Sequence, residues 1–245
     1  SVHRVAYRLG EDMVDDRPGI KHYYSFRDDV FTRSFGMPTD APAWAKNAEA
    51  AWNRAEAAET RKNSVVAREF RIALPRDFHK DQMIGAINEF IAAVVAEYQV
   101  LVAAGFHLPK IFTEEDLQKL SGQPAWLIPG TNIYTNWNYH AHVLISTREL
   151  LPTGFGKKTR ILDDKKEGPK EIVKHRDLAA DIFNRRAREQ NLDWVMQSRS
   201  FKRLGLDQVA KIHLGQKGQW AARHAIEFQG QLFNEQCQML NERLC

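Results

Sequence analysis

The stretch Tyr139-His140-Ala141-His142-Val143-Leu144-Ile145-Ser146 constrains the fold of this chain more than any other. Tyr139, Val143 and Ile145 fall at odd positions, the alternation of a buried β-strand. Successive strand side chains point to opposite faces, so His140 and His142 share one face. Two imidazoles held side by side on a rigid strand can bind a metal or orient a phosphate group. The same spacing also fits two strand histidines with ordinary packing roles, so the neighbouring segments must decide.

Those segments describe an α+β protein. Ser1 to Met13 reads as a short helix, with Val2, Val5, Ala6 and Leu9 at helical spacing. A turn at Asp15–Gly19 follows, and Tyr23 to Phe35 is expected to be irregular before entering a strand. Thr39-Asp40-Ala41-Pro42 starts a helix running to about Lys62. Ser64 to Leu74 alternates Arg68, Phe70, Ile72 and Leu74 against Ala67, Glu69, Arg71 and Ala73, a strand with one apolar face and one charged face. A long amphipathic helix from His79 gives way to β-like composition at Val100, and a strand runs to His107. Residues 108–137 form a polar, Gly/Pro-punctuated excursion with a short helix near Glu114–Leu120. Gly154-Phe155-Gly156-Lys157-Lys158-Thr159-Arg160 reads as a flexible basic loop, and a helix spans about Lys170 to Gln190. Strand, helix, strand, strand is the order of an α+β sandwich.

If the strand ending at His107 neighbours the His140 strand, His107, His140 and His142 converge as three neutral nitrogen ligands. Imidazoles suit Zn, Mn, Ni or Cu better than Mg. A formal charge of +4 is compatible with a nucleic-acid partner. Both cysteines, Cys237 and Cys245, lie at the far C-terminal end, so no disulfide framework holds the core and a reducing cytoplasm fits. No apolar run approaches the ~20 residues of a membrane span, and no secretory signal pattern follows Ser1. The phosphate-loop pattern GxxxxGK[ST] is absent from the sequence.

Five stretches, in order, resemble the MobA/MobL relaxases of mobilisable plasmids, a branch of the HUH endonucleases. They are Ser1 to Arg8, Ala67 to Pro75, the His140 strand, Gly154 to Asp164, and Ile212-His213-Leu214-Gly215. The resemblance implies a central, mostly antiparallel β-sheet flanked by helices, with a metal site at its middle. It also implies a chemistry: metal-dependent cutting of one DNA strand at the origin of transfer, oriT, by a tyrosine. The products are a 5′-phosphotyrosine adduct and a free 3′-OH, and the reaction reverses to rejoin ends. The family's Ala-Tyr motif corresponds to Tyr7, its metal histidines to His107, His140 and His142, and its strand carboxylate to Glu69. Glu69 either takes the phenol proton or orients a histidine. The resemblance implies a divalent metal, Mn²⁺ or Mg²⁺ first, with Zn²⁺, Ni²⁺ or Co²⁺ also compatible.

Arg8, Arg27, Lys157, Lys158 and Arg160 are candidate DNA contacts, although charge runs are usually solvated surface. Tyr23 and Tyr24 suit structural or DNA-contact roles better than a second nucleophile. His213 is expected to be structural, and His3, His22, His79 and His175 have no partner motif. The relaxase domain is expected over residues 1–217, with an insertion at 108–137 and a helical extension at 218–245. The family begins with a β-strand ahead of the tyrosine segment, so either residues precede Ser1 or the sheet lacks an edge. The partners implied are single-stranded DNA at oriT (hairpin plus nick site), relaxosome accessory proteins and a type IV coupling protein, in a bacterial cytoplasm and without membrane insertion. A rolling-circle replication initiator would place its tyrosine after the His strand, and no Tyr follows Tyr139. A non-catalytic origin-binding adaptor is the reading from a different class.

Overall fold

A computed structural model describes residues 1–61, 63–119, 125–209 and 229–244. The chain divides into two compact units, Ser1–Pro109 with Asn138–Met196, and Lys110–Trp137 with Gln197–Cys245. The first unit is an α+β layer structure around one antiparallel sheet. Helix α1 (Val2–Leu9) is followed by a two-stranded ribbon, β1 (Met13–Asp15) and β2 (Ile20–His22), then β3 (Val30–Gly36). Next come α2 (Ala48–Ala57), β4 (Ala67–Ala73), α3 (Lys80–Tyr98) and β5 (Val100–His107).

Strand β9 (His140–Leu151) is the spine. Along one edge it pairs with β5, which in turn pairs with β3. Along the other edge it pairs first with β4, then with β10 (Gly154–Lys158), and every ladder is antiparallel. Helix α5 (Gly168–Glu189) closes the unit, with a Pro in its first turn.

The two faces of the sheet follow from side-chain parity. Val100, Val102, Ala104 and Phe106 of β5, with Ala141, Val143 and Ile145 of β9, join Phe90, Ile91, Val94, Ile182 and Phe183 of α3 and α5 in one core. Leu101, Ala103 and Leu144 join Val2, Val5, Ala6 and Leu9 of α1 and Ala51, Trp52 and Ala55 of α2 in the other. Covered on both sides, β5 is buried at every position, which explains why its sequence is almost continuously apolar. An eight-residue helix is marginal alone. Burying Val2, Val5 and Leu9 contributes roughly 1.5–3 kcal/mol each, so packing holds α1 where it is. It stops at Gly10, whose left-handed backbone (φ 60°) places its N–H on the Ala6 carbonyl.

The sequence reading holds for α1, α2, β4, α3, β5, β9 and α5, with shifted ends. The first helix stops at Leu9 rather than Met13, and Ala43–Lys46 is a separate 3₁₀ turn ahead of α2. The turn at Asp15–Gly19 connects β1 to β2, a ribbon too short to show periodicity. The expected flexible loop at Gly154–Arg160 is corrected. Gly154–Lys158 is a strand, and Arg160–Asp163 is a 3₁₀ turn. The free edge of β9 supplies the hydrogen-bond partners that the glycines alone would not suggest.

In the second unit, β6 (Ile111–Phe112), β7 (Trp126–Leu127) and β8 (Tyr134–Thr135) form a small sheet in the order β6-β8-β7, with helix α4 (Glu114–Lys119) after β6. A further helix covers Gln229–Leu244. Ile212-His213-Leu214-Gly215 lies outside the described residues. No helix among the described residues is long and apolar enough to cross a membrane.

Candidate metal centre

Register and parity bring the histidines together. His107 stands directly opposite His140 across the β5–β9 ladder, and Gly105 stands opposite His142. All are on the α1 face. One ring nitrogen from each of the three histidines lies within 4.8 Å of the others. Ring centroids are 4.7–5.1 Å apart.

The outward nitrogens decide what the inward ones can do. His140 Nδ1 lies 2.8 Å from the Asn138 carbonyl, which can only accept, so Nδ1 carries the proton. His142 Nδ1 donates to the Glu69 carboxylate in the same way. Each ring therefore turns a lone pair inward, and the two Nε2 atoms face each other at 3.2 Å. Two acceptors at that distance repel, and a shared cation removes the repulsion. His107 has acceptors on both sides, the Asp29 carboxylate 3.3 Å from Nδ1 and the Arg8 carbonyl 2.8 Å from Nε2. Donating to Asp29 frees Nε2, and donating to Arg8 does not.

Burial pushes all three histidines below their ordinary pKa. For His107 and His140 the neighbouring histidines push further in the same direction, and for His142 Arg8 does so. They are accordingly neutral near pH 7, as ligands must be. Three neutral imidazoles with two neighbouring carboxylates fit a divalent ion of the borderline class.

Glu69 sits two residues along β4 from Arg71, the partner of His142, and so on the same face. It accepts from His142 and from Arg8 Nε at 3.0 Å. The His142 hydrogen bond, chiefly, and Arg8 hold its carboxyl at about 2. Arg8 is thus engaged with Glu69. Asp29, which the sequence reading did not single out, accepts from Arg27. Burial alone would raise its pKa, but hydrogen bonds from Arg27 and His107 bring it below the carboxylate range.

Tyr7 lies in the last turn of α1, one residue before the carbonyl that touches His107. Its ring is 39% exposed, edge-on to Tyr24 at 5.2 Å, with the Arg27 guanidinium 4.0 Å above it. Arg27 also donates to the Tyr7 carbonyl at 2.8 Å. Gly105 makes this approach possible. A Cβ there would stand 2.1 Å from the Arg8 carbonyl oxygen.

The other basic candidates are farther along the sheet. Lys158 pairs with the buried Glu59 at 2.9 Å, and Lys157 is 81% exposed near Glu149. Arg160 is exposed in the 3₁₀ turn. His175 is a core residue, stacked on Tyr98 at 5.5 Å. His3 donates to or accepts from the Tyr24 hydroxyl at 2.6 Å, a contact no sequence spacing signals.

The chain is similar to a mobilization protein and to conjugal transfer proteins. It is 32% identical over 159 residues to mobilization protein MobL of Acidithiobacillus ferridurans, covering 64% of this chain and 41% of that protein. It is 24% identical over 239 residues to conjugal transfer protein TraA of Agrobacterium fabrum, covering 86% of this chain and 19% of TraA. The chain thus spans well under half the length of these relatives. A solved structure concerning vancomycin resistance transfer in Staphylococcus aureus has the same fold, with a TM-score of 0.62 and 22% identity over 81% of this chain and 90% of the other. The family described as MobA/MobL matches residues 1–224, and the chain belongs to it.

Proposed function

We infer that this chain is a relaxase domain of the HUH type, nicking one DNA strand at an oriT sequence by transesterification and rejoining it after transfer. The observation that carries this reading is the close packing of the Tyr7 helix on the strand face that bears the three histidines, where a Cβ on Gly105 would stand 2.1 Å from the Arg8 carbonyl oxygen. The catalytic tyrosine is Tyr7. Its phenol oxygen attacks the scissile phosphorus, the bond to the 3′ oxygen breaks, and a 5′-phosphotyrosine and a free 3′-OH result. Arg27 puts positive charge beside the ring on which negative charge develops.

Glu69 is the orienting carboxylate rather than the base. Held ionised down to about pH 2 by His142 and Arg8, it has little affinity for a proton near neutrality. It fixes His142 in the tautomer whose Nε2 faces inward. His107, His140 and His142 would hold a divalent ion, Mn²⁺ or Mg²⁺ by the family resemblance and Mn²⁺ or Zn²⁺ by ligand chemistry. When bound, such an ion supplies Lewis-acid polarisation of the phosphate.

The domain is proposed to comprise residues 1–217, with 108–137 as an insertion and 218–245 as an extension. Its partners are the single-stranded oriT hairpin and nick site, relaxosome accessory proteins and a type IV coupling protein, in the bacterial cytoplasm. Arg27, Arg8, Lys157 and Arg160 are the proposed phosphate contacts, with Lys158 adding to the basic edge while holding Glu59.

The test is a denaturing gel with an oligonucleotide bearing the cognate nick site and Mn²⁺. We expect a protein-linked band that Tyr7→Phe abolishes and that Tyr23→Phe and Tyr24→Phe retain. A band lost only with Tyr23 or Tyr24 would move the nucleophile. Tight binding with no adduct under any divalent metal would favour the origin-binding adaptor.

A further inference from the structure

The loop between β2 and β3 carries two rings, Tyr23 and Phe26, that packing does not use, while Tyr24 is half-buried against the α1 core. Phe26 is 77% exposed and Tyr23 62%, the highest values for any aromatic residue among the described residues. The loop is nonetheless pinned. Asp12 accepts from the backbone N–H groups of Tyr24 and Ser25, both at 2.8 Å, and the Arg27 N–H donates to the Tyr24 carbonyl at 3.1 Å. A phenyl ring displayed on a fixed loop leaves its face open to a ligand, and what distinguishes this one from a lone exposed ring is the company it keeps.

The rings are also ordered. Tyr7 meets Tyr24 edge-on at 5.2 Å, and Tyr24 meets Phe26 at 6.4 Å with 39° between planes. His3 fixes the Tyr24 hydroxyl at 2.6 Å. Positive charge accompanies the Tyr7 end, where Arg27 and Arg8 lie 4.0 and 5.3 Å from the ring. Tyr23 stands apart. Its ring lies 5.0 Å from Lys21 Nζ and pairs with no other ring among the described residues.

We propose that Tyr24 and Phe26 extend the Tyr7 ring into a stacking platform for the bases of single-stranded DNA beside the phosphate that Tyr7 attacks. Its position rests on the relaxase reading. Its chemistry rests on the ring series itself. Every unpaired base presents a π-face, whereas bases in a duplex are already stacked, and aromatic rings beside guanidinium groups are the usual receptor for such faces. An apolar protein surface would bury Phe26 but would find no match for the cations at the other end.

The test compares two probes by fluorescence anisotropy in chelator, where no cutting occurs. They are a fluorescein-labelled oligo(dT) and a strand of equal length and charge built from abasic sites. Wild type is expected to prefer oligo(dT). Phe26→Ala should weaken oligo(dT) binding about tenfold. It should leave the abasic affinity and the salt dependence unchanged, because no phosphate contact is lost. Phe26→Trp should restore the preference, and Tyr23→Ala should leave it intact. Equal affinities for the two probes in wild type, or the same loss on both probes in Phe26→Ala, would overturn the platform. A loss in Tyr23→Ala as large as in Phe26→Ala would overturn the ring order. Binding in chelator is independent of adduct formation. A base preference lost in Phe26→Ala, with no adduct from wild type, would keep the platform and remove the nicking reading. An adduct without base preference would do the reverse.

Discussion

Gly105 has no side chain, yet it decides where the tyrosine helix rests. A Cβ at this position would meet the Arg8 carbonyl oxygen at 2.1 Å and its carbon at 3.0 Å, backbone atoms that cannot swing aside. Gly105→Ala is expected to cost about 1–3 kcal/mol in a denaturant melt. Adduct formation should fall further than that loss explains, about 100-fold, because Tyr7 moves with Arg8. Glu69→Gln removes a carboxylate from His142 and Arg8 together. Titration calorimetry should find metal affinity lowered about 10–100-fold. At this scale the sequence was informative where a short period governs. His140 and His142 are two residues apart on one strand, and their shared face needs no further knowledge. Asp29 was not legible. It reaches His107 because Val30 pairs with His107 in the β3–β5 register, a fact written in no local pattern. Gly105 was invisible for the same reason, since its constraint is the carbonyl of a residue 97 positions earlier.

The β9–β10 hairpin belongs to the scale of elements. Arg148 on β9 and Lys158 on β10 both hold Glu59, whose side chain is 2% exposed, at 2.8 and 2.9 Å. Burial by itself would raise the Glu59 carboxyl, but hydrogen bonds from Lys158, Arg148 and Ser64 outweigh it and hold the pKa below the usual value. A depressed carboxylate contributes stability that is complete above the unfolded pKa, near 4.5, and is lost as pH falls through the folded value. Glu59→Ala should therefore cost about 1–3 kcal/mol at pH 7. The gap between variant and wild type should narrow in acid melts as pH falls from the unfolded value through the lower folded one. The strand itself escaped the sequence reading because Gly154-Phe155-Gly156 carries turn composition, and pairing with Leu151, Leu150 and Arg148 of β9 overrides it. By contrast α3, with Met83, Ile87, Phe90, Ile91 and Val94 on one stripe, was legible from end to end, since a long helix repeats its signal five times over.

For the whole molecule, a ligand bound only by the folded state raises its stability by mass action. Mn²⁺ at about 100 times its dissociation constant should contribute about 2.7 kcal/mol, or roughly 5–10 °C in Tm for a unit of this size. The shift should vanish in the His140→Ala/His142→Ala double variant, and a persisting shift would place the ion elsewhere. The cluster that produces this effect joins residues far apart in the chain. His107 meets Arg8 across 99 positions, and Glu69 meets His142 across 73. During synthesis the Tyr7 helix leaves the ribosome ahead of its docking strand, which at ordinary elongation rates follows about 5–20 s later. Through that interval Val2, Val5, Ala6 and Leu9 have no sheet to cover them. Tyr7 is made early and placed late, so a nascent chain does not bring Tyr7 beside the three histidines until the spine strand has been translated and paired.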